Sequence, residues 1–285
     1  MKSSASALLS YTALFAICVL WLPSVACGVS RRSAVSSRKG RLYISWGYNR
    51  SAYTQSDIHF TGPDYDFTLH GVTAKDRPTK FDLGTYLDPT KATIPQYEFR
   101  VSYFISERTS LSFGISHLKY VVTQNQGTNI SGTIDSSASR AYAGAYDFNS
   151  FPLNANFLRF EHTNGLNYEA VEIETLFPLL ESARKLRGLY FTSAVGAGIL
   201  TPKSDVTLFN TRQKNVIHLA GYGFNGKLGL RFEFLNRVFV KAFTNFGYLN
   251  LPSILTRSGD TGDRASQHFY FIEGSMVAGV SLYTF

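Results

Sequence analysis

The chain has 285 residues, of which 17% are charged and 15% aromatic, mostly Phe (23) and Tyr (17). Two Cys, nine Pro and a mean hydropathy of -0.06 exclude a disulfide framework, a collagen-like repeat, a disordered chain and a bundle of apolar helices. The formal charge is +8, but the basic residues are scattered, with one dense stretch at Arg31, Arg32, Arg38, Lys39 and Arg41, so no basic helix face forms and nucleic acid is not an expected partner.

The first segment reads as an export signal. Lys2 precedes an uncharged run whose apolar heart is Leu14–Leu22, followed by Pro23 and then small residues at Ser24 and Ala26. Cleavage after Ala26 removes residues 1–26 and leaves Cys27 first, which opens the option of lipidation. Ser24 stands where lipoprotein signals carry Leu. The run is long enough for a permanent anchor, but Pro23 and the small residues favour cleavage. Cys18 leaves with the signal, so the mature chain has one Cys and no internal disulfide. A linker over 27–40 leads into a single domain over 41–285.

From Arg41 onward the chain alternates with period two between turn residues, the pattern of strands. Tyr53–Thr73 splits at Gly62-Pro63-Asp64 into two such segments, and Gly71–Pro95 is a long loop carrying Lys75, Asp76, Arg77 and Lys80. In Gln96–Ser106 one face holds Tyr97, Phe99, Val101, Tyr103 and Ile105, and the other Glu98, Arg100 and Ser102. Further segments are Arg140–Phe148 and the region from Leu158 through Glu174. In His218–Phe234, Tyr222, Phe224, Leu228, Leu230, Phe232 and Phe234 oppose Asn225, Lys227, Arg231 and Glu233. That stretch is far longer than the ~5–6 residues usual in soluble domains and suits a tilted barrel wall. The final strand, Gln267–Phe285, ends on Phe with Tyr283 two before it, a partial match to the C-terminal signal of outer-membrane barrels.

These elements predict an all-β fold: a single antiparallel transmembrane β-barrel whose strands alternate between a lipid face and a polar lumen. Bacterial barrels have short periplasmic turns and longer outer loops. With the C-terminus in the periplasm, Asn250–Ser266 and Thr201–Gln213 are outer, while Leu235-Asn236 and Leu179–Leu186 are periplasmic. A ten-strand count then places the short Glu107-Arg108 turn outside and the long Asn125–Phe151 link inside. Counting Arg140–Phe148 and splitting Tyr53–Thr73 repairs this, so twelve strands are expected, with ten as the alternative.

Several segments, SDIHF (Ser56–Phe60), DYDFTL (Asp64–Leu69), KDRP (Lys75–Pro78), IPQYEFR (Ile94–Arg100), FEHTNGLNY (Phe160–Tyr168) and SQHFYF (Ser266–Phe271), resemble a family of bacterial outer-membrane β-barrels without an assigned activity. The resemblance spreads over most of the mature chain and implies an architecture and a location rather than a chemistry.

Within Arg159–Gly165, His162, Thr163 and Asn164 are the candidate catalytic residues, because the segment is similar to the His-x-Ser-Asn motif of lipid A deacylases. In that family the His activates a Ser two residues later. Here that position holds Asn164, and Thr163 points to the opposite face, so the nucleophile is missing. Alternation groups His162 with Leu158 and Phe160, read as the lipid side; the plainer reading makes Asn164-Gly165 a hairpin turn. Glu172 and Glu174 face one way, toward the lumen, where Lys227 and Arg231 are placed to answer them as ion pairs packing a narrow barrel. None of the six His forms an i, i+2 or i, i+4 pair, so no metal is expected, and no cofactor. The leading expectation is a non-enzymatic outer-membrane barrel, either structural, a narrow pore or a binder of a small or hydrophobic ligand. The alternative is an enzyme acting on outer-leaflet lipid through the His162 region. Expected partners are outer-membrane lipid, lipopolysaccharide and, through Phe285, the barrel-assembly machinery; the oligomeric state is left open.

Overall fold

The computed structural model describes residues 37–91, 93–182, 187–212, 217–234, 237–257 and 262–282. The expected signal peptide, Cys27 and Phe285 lie outside the described residues.

In chain order the strands are β1 (Leu42–Tyr53), β2 (Ser56–Gly62), β3 (Tyr65–Val72), β4 (Ala74–Lys75), β5 (Tyr97–Phe104), β6 (Thr109–Val122), β7 (Gln126–Ile134), β8 (Gly144–Leu153), β9 (Leu158–Ser182), β10 (Arg187–Pro202), β11 (Asp205–Leu208), β12 (Thr211–Arg212), β13 (Gly221–Phe234), β14 (Val238–Leu255) and β15 (Arg264–Leu282). An α-helical turn, Leu83–Tyr86, and a 3-10 turn, Pro89–Lys91, interrupt the loop before β5. Pairing runs β1-β5-β6-β9-β10-β13-β14-β15 and returns to β1, all antiparallel, so eight strands close a ring. Full closure removes the exposed edges that an open sheet must otherwise protect.

The expected twelve-strand barrel is corrected to eight. The extra segments are strands, as alternation predicts, but they do not enter the wall. β2 continues from the upper end of β15 (Gln267 opposite Ile58), and β3, β7 and β8 follow it edge to edge. β11 adds to the upper end of β9, and β4 to the upper end of β6. They build an extension on one end of the ring. Chain direction explains why the loop-length argument still works. The strand ends that lead from β5 to β6, β9 to β10 and β13 to β14 all lie at the lower end, and the strand ends joined by longer stretches of sequence lie at the upper end with the extension.

Strand length follows from this arrangement. A tilted strand crosses a bilayer in ~9–11 residues, yet β9 has 25, β15 19 and β14 18. The surplus rises above the wall and pairs with the extension. Along the wall, outward positions are apolar: Leu111, Phe113, Val171, Ile173, Val195, Leu228, Leu230, Met276 and Val280 are all exposed. Within the belt Trp46 stacks on Tyr97 (4.6 Å between centroids), and at its upper edge Tyr248 contacts Tyr270 (5.3 Å). An apolar belt edged by aromatics on a closed barrel is a lipid-facing surface. Beyond the rim, outward residues of β9 turn polar at Glu169, Asn167, Thr163 and Glu161.

In the extension the sense reverses. Ile58 and Phe60 of β2, Phe67 and Leu69 of β3, Ile130 of β7 and Phe160 of β9 point inward and are fully buried, while Asp57, His59, Asp66 and Thr68 face out. Phe60 stacks on Phe67 (5.2 Å, 16°), and Phe157 meets Phe67 edge-on at 5.6 Å. The core is therefore a continuous apolar column running from the extension down into the top of the ring.

Candidate functional site

The lumen is filled in three layers. At the lower end Tyr43, Phe104 and Phe239 surround the Arg231 guanidinium, which lies 3.7 Å from the centre of the Phe239 ring and 4.7 Å from that of Tyr43. Arg231 also reaches Glu233 at 2.8 Å, and Arg38 from the segment before β1 reaches the same carboxylate at 2.7 Å. Arg38 thereby closes the lower mouth, with its own N–H donating to Glu107 at 3.0 Å.

The middle layer is ionic. Lys227 Nζ lies 2.6 Å from Glu98 and 3.0 Å from Glu172; Arg100 Nη2 lies 3.0 Å from Glu98 and 3.1 Å from Glu172. Each of these side chains is less than one-tenth exposed. Neutral groups complete the set. Asn225 Nδ2 donates to Glu172 at 2.9 Å and to Asn245 Oδ1 at 3.1 Å, Tyr168 donates to Asn225 Oδ1 at 2.9 Å, and Ser116 donates to Glu98. Lys241 pairs with Glu174. Burying four such charges is tolerable only because each finds an opposite charge and further hydrogen bonds; a lone charge here costs several kcal/mol. About 20 Å³ of solvent-reachable space remains beside this layer, about the room one water needs.

The upper layer is apolar. Tyr168, Leu166, Tyr120, Phe269 and Phe271 fill the ring below the extension, with Tyr120 stacked on Phe269 at 4.9 Å. His162 stands directly above this layer, at the base of the extension, which corrects its expected position. It is fully buried, points inward with Leu158 and Phe160, and packs against Tyr120 (5.7 Å). Asn164 and Gly165 form no hairpin turn. They lie within β9, where the register against β6 shifts between Leu118 and Tyr120, a bulge accommodated by Gly165 at φ +131°. The shift spans two extra residues of β9, so alternation parity survives it and His162 stays on the same face as Glu172.

His162 has a hydroxyl partner the sequence did not indicate. Ser204, just before β11, places Oγ 2.9 Å from Nδ1, and Gln267 Nε2 is 3.4 Å from Nε2. A Ser–His contact is the beginning of a nucleophilic site, but Ser204 is 4% exposed and His162 0%, so no substrate carbonyl reaches them. Burial, with His218 nearby, lowers the imidazole to about 3, so it is neutral at physiological pH. Thr163 faces out, with its hydroxyl donating to Glu161 at 3.0 Å. The lipid-side geometry required of a deacylase is absent among the described residues.

Of the four residues assigned to the lumen, Glu172 and Lys227 meet directly. Arg231 pairs instead with Glu233, and Glu174 takes Lys241, a partner not singled out from sequence. Glu98 and Arg100 complete the network. Their inward facing was legible from alternation in β5, but strand order was needed to bring them to Glu172 and Lys227.

No protein-family model and no curated protein matches the chain. Among solved structures, it is similar to the outer-membrane protein AlkL in lipid bilayers (TM-score 0.40, 9% identity, covering 92% of this chain and 96% of that one). It is also similar to the outer-membrane protein OprG from Pseudomonas aeruginosa (0.38, 8%, 87% and 98%) and to Ail, the attachment invasion locus protein of Yersinia pestis (0.34, 12%, 86% and 99%).

Proposed function

We propose that the chain is a non-enzymatic outer-membrane β-barrel in which the filled ring is an anchor and the folded extension outside the membrane binds a small ligand. The observation that carries this reading is the lumen itself. Lys227 on β13 bridges to Glu98 on β5, the strand opposite it in the ring, with an apolar layer above and, below, aromatic rings packed around the Arg231–Glu233 pair. Ions would have to cross two aromatic layers and break buried ion pairs, a path unlike the water-filled lumen of porins. Cavities of about 230 and 340 Å³ lie in the extension. A concave surface held on rigid strands is where small ligands bind.

The test is electrical. The chain, refolded into planar lipid bilayers and verified as a barrel by its heat-modifiable gel migration, should produce no stable single-channel steps. Regular steps at low voltage would overturn the anchor reading and restore the narrow pore.

A further inference from the structure

At the far end of the extension, the β2–β3 turn, the β11–β12 turn and the upper ends of β14 and β15 surround the cavity of about 230 Å³. Tyr65 and Phe209 form an aromatic wall, with ring centroids 5.8 Å apart at 84°. Tyr65 donates its hydroxyl to Asp263 Oδ1 at 2.6 Å, and burial raises the phenol further above its ordinary range, so it remains a donor. Asp263 and Thr256 are each 2% exposed. Among the described residues Asp263 Oδ2 and Thr256 Oγ1 make no hydrogen bond of normal geometry; the Thr256 hydroxyl lies beside the Tyr65 phenol, and the nearest cation, Arg257, is 3.6 Å from Oδ2 and half-exposed.

Two buried polar atoms without partners are costly, and native proteins rarely leave them so. Phe209 adds a second cost. It and Asn210 occupy the left-handed region (φ 52° and 62°), a conformation rare for a bulky side chain. Two consecutive positive φ values make the tight turn of a two-residue hairpin, where Asn-Gly is usual. Backbone strain of this kind collects at ligand sites, and here it sets the Phe209 ring in the cavity wall.

We propose that this cavity binds a single neutral sugar ring. The assignment follows from the mixture of groups. Asp263 Oδ2 only accepts, Arg257 only donates and Thr256 Oγ1 does both. Vicinal hydroxyls, each a donor and an acceptor, satisfy all three, while the C–H face of the ring packs against Tyr65 and Phe209. An anion would be repelled by Asp64 and Asp263. A quaternary cation would suit Asp263 and the rings but leave Thr256 unpaired and face Arg257. The volume lies below the ~300–1,000 Å³ of drug-sized pockets, which suits one ring. The inference rests on the reading of the extension as the binding part and names its ligand class.

The experiment is saturation-transfer NMR on the full chain refolded in nanodiscs. The probes are methyl α-glucopyranoside, methyl α-galactopyranoside, methyl α-mannopyranoside and N-acetylglucosamine, with tetramethylammonium and glucose 6-phosphate as the charged comparisons. At least one neutral sugar should receive saturation on its ring C–H protons. Asp263→Asn and Thr256→Val, both near-isosteric, should each weaken its affinity about tenfold or more, the effect of one buried hydrogen bond to a charged or hydroxyl group. Heat-modifiable migration verifies that each variant folds. No transfer to any of the four sugars overturns the proposal, as does transfer that both variants leave unchanged, or tighter binding of either charged probe. The conductance test is separate. A non-conducting barrel that binds no sugar refutes this site alone, and a conducting barrel that binds sugar refutes the anchor reading alone.

Discussion

Lys227 Nζ stands 2.6 Å from Glu98 Oε1 although β13 and β5 are diametrically opposed in the eight-strand ring. One ammonium therefore spans the lumen and, through Glu172 at 3.0 Å, ties a third strand, β9, into the same contact. Strand number and stagger set the width of the barrel, and this contact spans it.

Removing one member of this set should cost more than removing a matched pair. Lys227→Met leaves Glu98 and Glu172 sharing Arg100, and should destabilise the barrel by about 3–5 kcal/mol. Adding Glu172→Gln restores one cation to one carboxylate and should recover part of that loss. Urea midpoints in lysophospholipid micelles measure both; a double variant as unstable as the sum of its singles would contradict the network.

Trp46 reports the position of the belt. It lies on the lipid-facing side of β1, opposite Ala278 and so level with the wall residues Met276 and Val280, and the only other Trp is Trp21, within the expected signal. In a chain starting at Cys27, emission should be blue-shifted in vesicles. Lipids brominated deep in the acyl chain should quench it more than lipids brominated near the headgroup. Equal or stronger quenching from the headgroup would misplace the belt.

His162 should make the stability of the extension pH-dependent. Its folded value, lowered by burial to about 3, is below the ~6.5 of an unfolded chain, so between these values the unfolded state binds more protons. Stability from this group is complete above about pH 6.5 and falls by about 1.4 kcal/mol per unit as pH drops toward 3. His162→Gln, which retains a hydrogen-bonding partner for Ser204, should flatten that part of the slope. Comparing urea midpoints from pH 7 to 4.5 isolates it; identical slopes in both proteins would rule the account out.

Gly132 should matter to the extension and not to the ring. It pairs with Phe67 across β3–β7 at φ +109°, and a Cβ there would run into the Asp66 carbonyl. Gly132→Ala should cost about 1–3 kcal/mol of local stability. Limited proteolysis should then cut within β2, β3, β7 or β8 while heat-modifiable migration is unchanged. Loss of the heat shift would mean that ring and extension fold as one unit.

The sequence by itself determined that the chain is built of strands, which residues share a face in β5 and β13, and at which end the short turns lie. These are local properties: side chains alternate every residue, and turn chemistry is written within a few positions. Alternation also placed Glu98 and Arg100 opposite Tyr97 and Phe99, and Lys227 and Arg231 opposite Leu228 and Leu230, as the structure has them.

Only the tertiary structure decided how many strands close the ring and which face of each is inside. Period two is the same whether a strand is polar-in and apolar-out, as in the lipid-facing wall, or apolar-in and polar-out, as in β2 and β3 over a dry core. β9 does both, with Glu172 and Glu174 inward in the wall and His162, Phe160 and Leu158 inward in the extension. Its alternation never breaks, so nothing local marks the point where lipid gives way to water outside it and ions give way to aromatics within. That point is set by the pairing of β9 with β6, β10 and β11, contacts between residues far apart in the chain, and with it the burial of His162 and the meeting of Lys227 with Glu98.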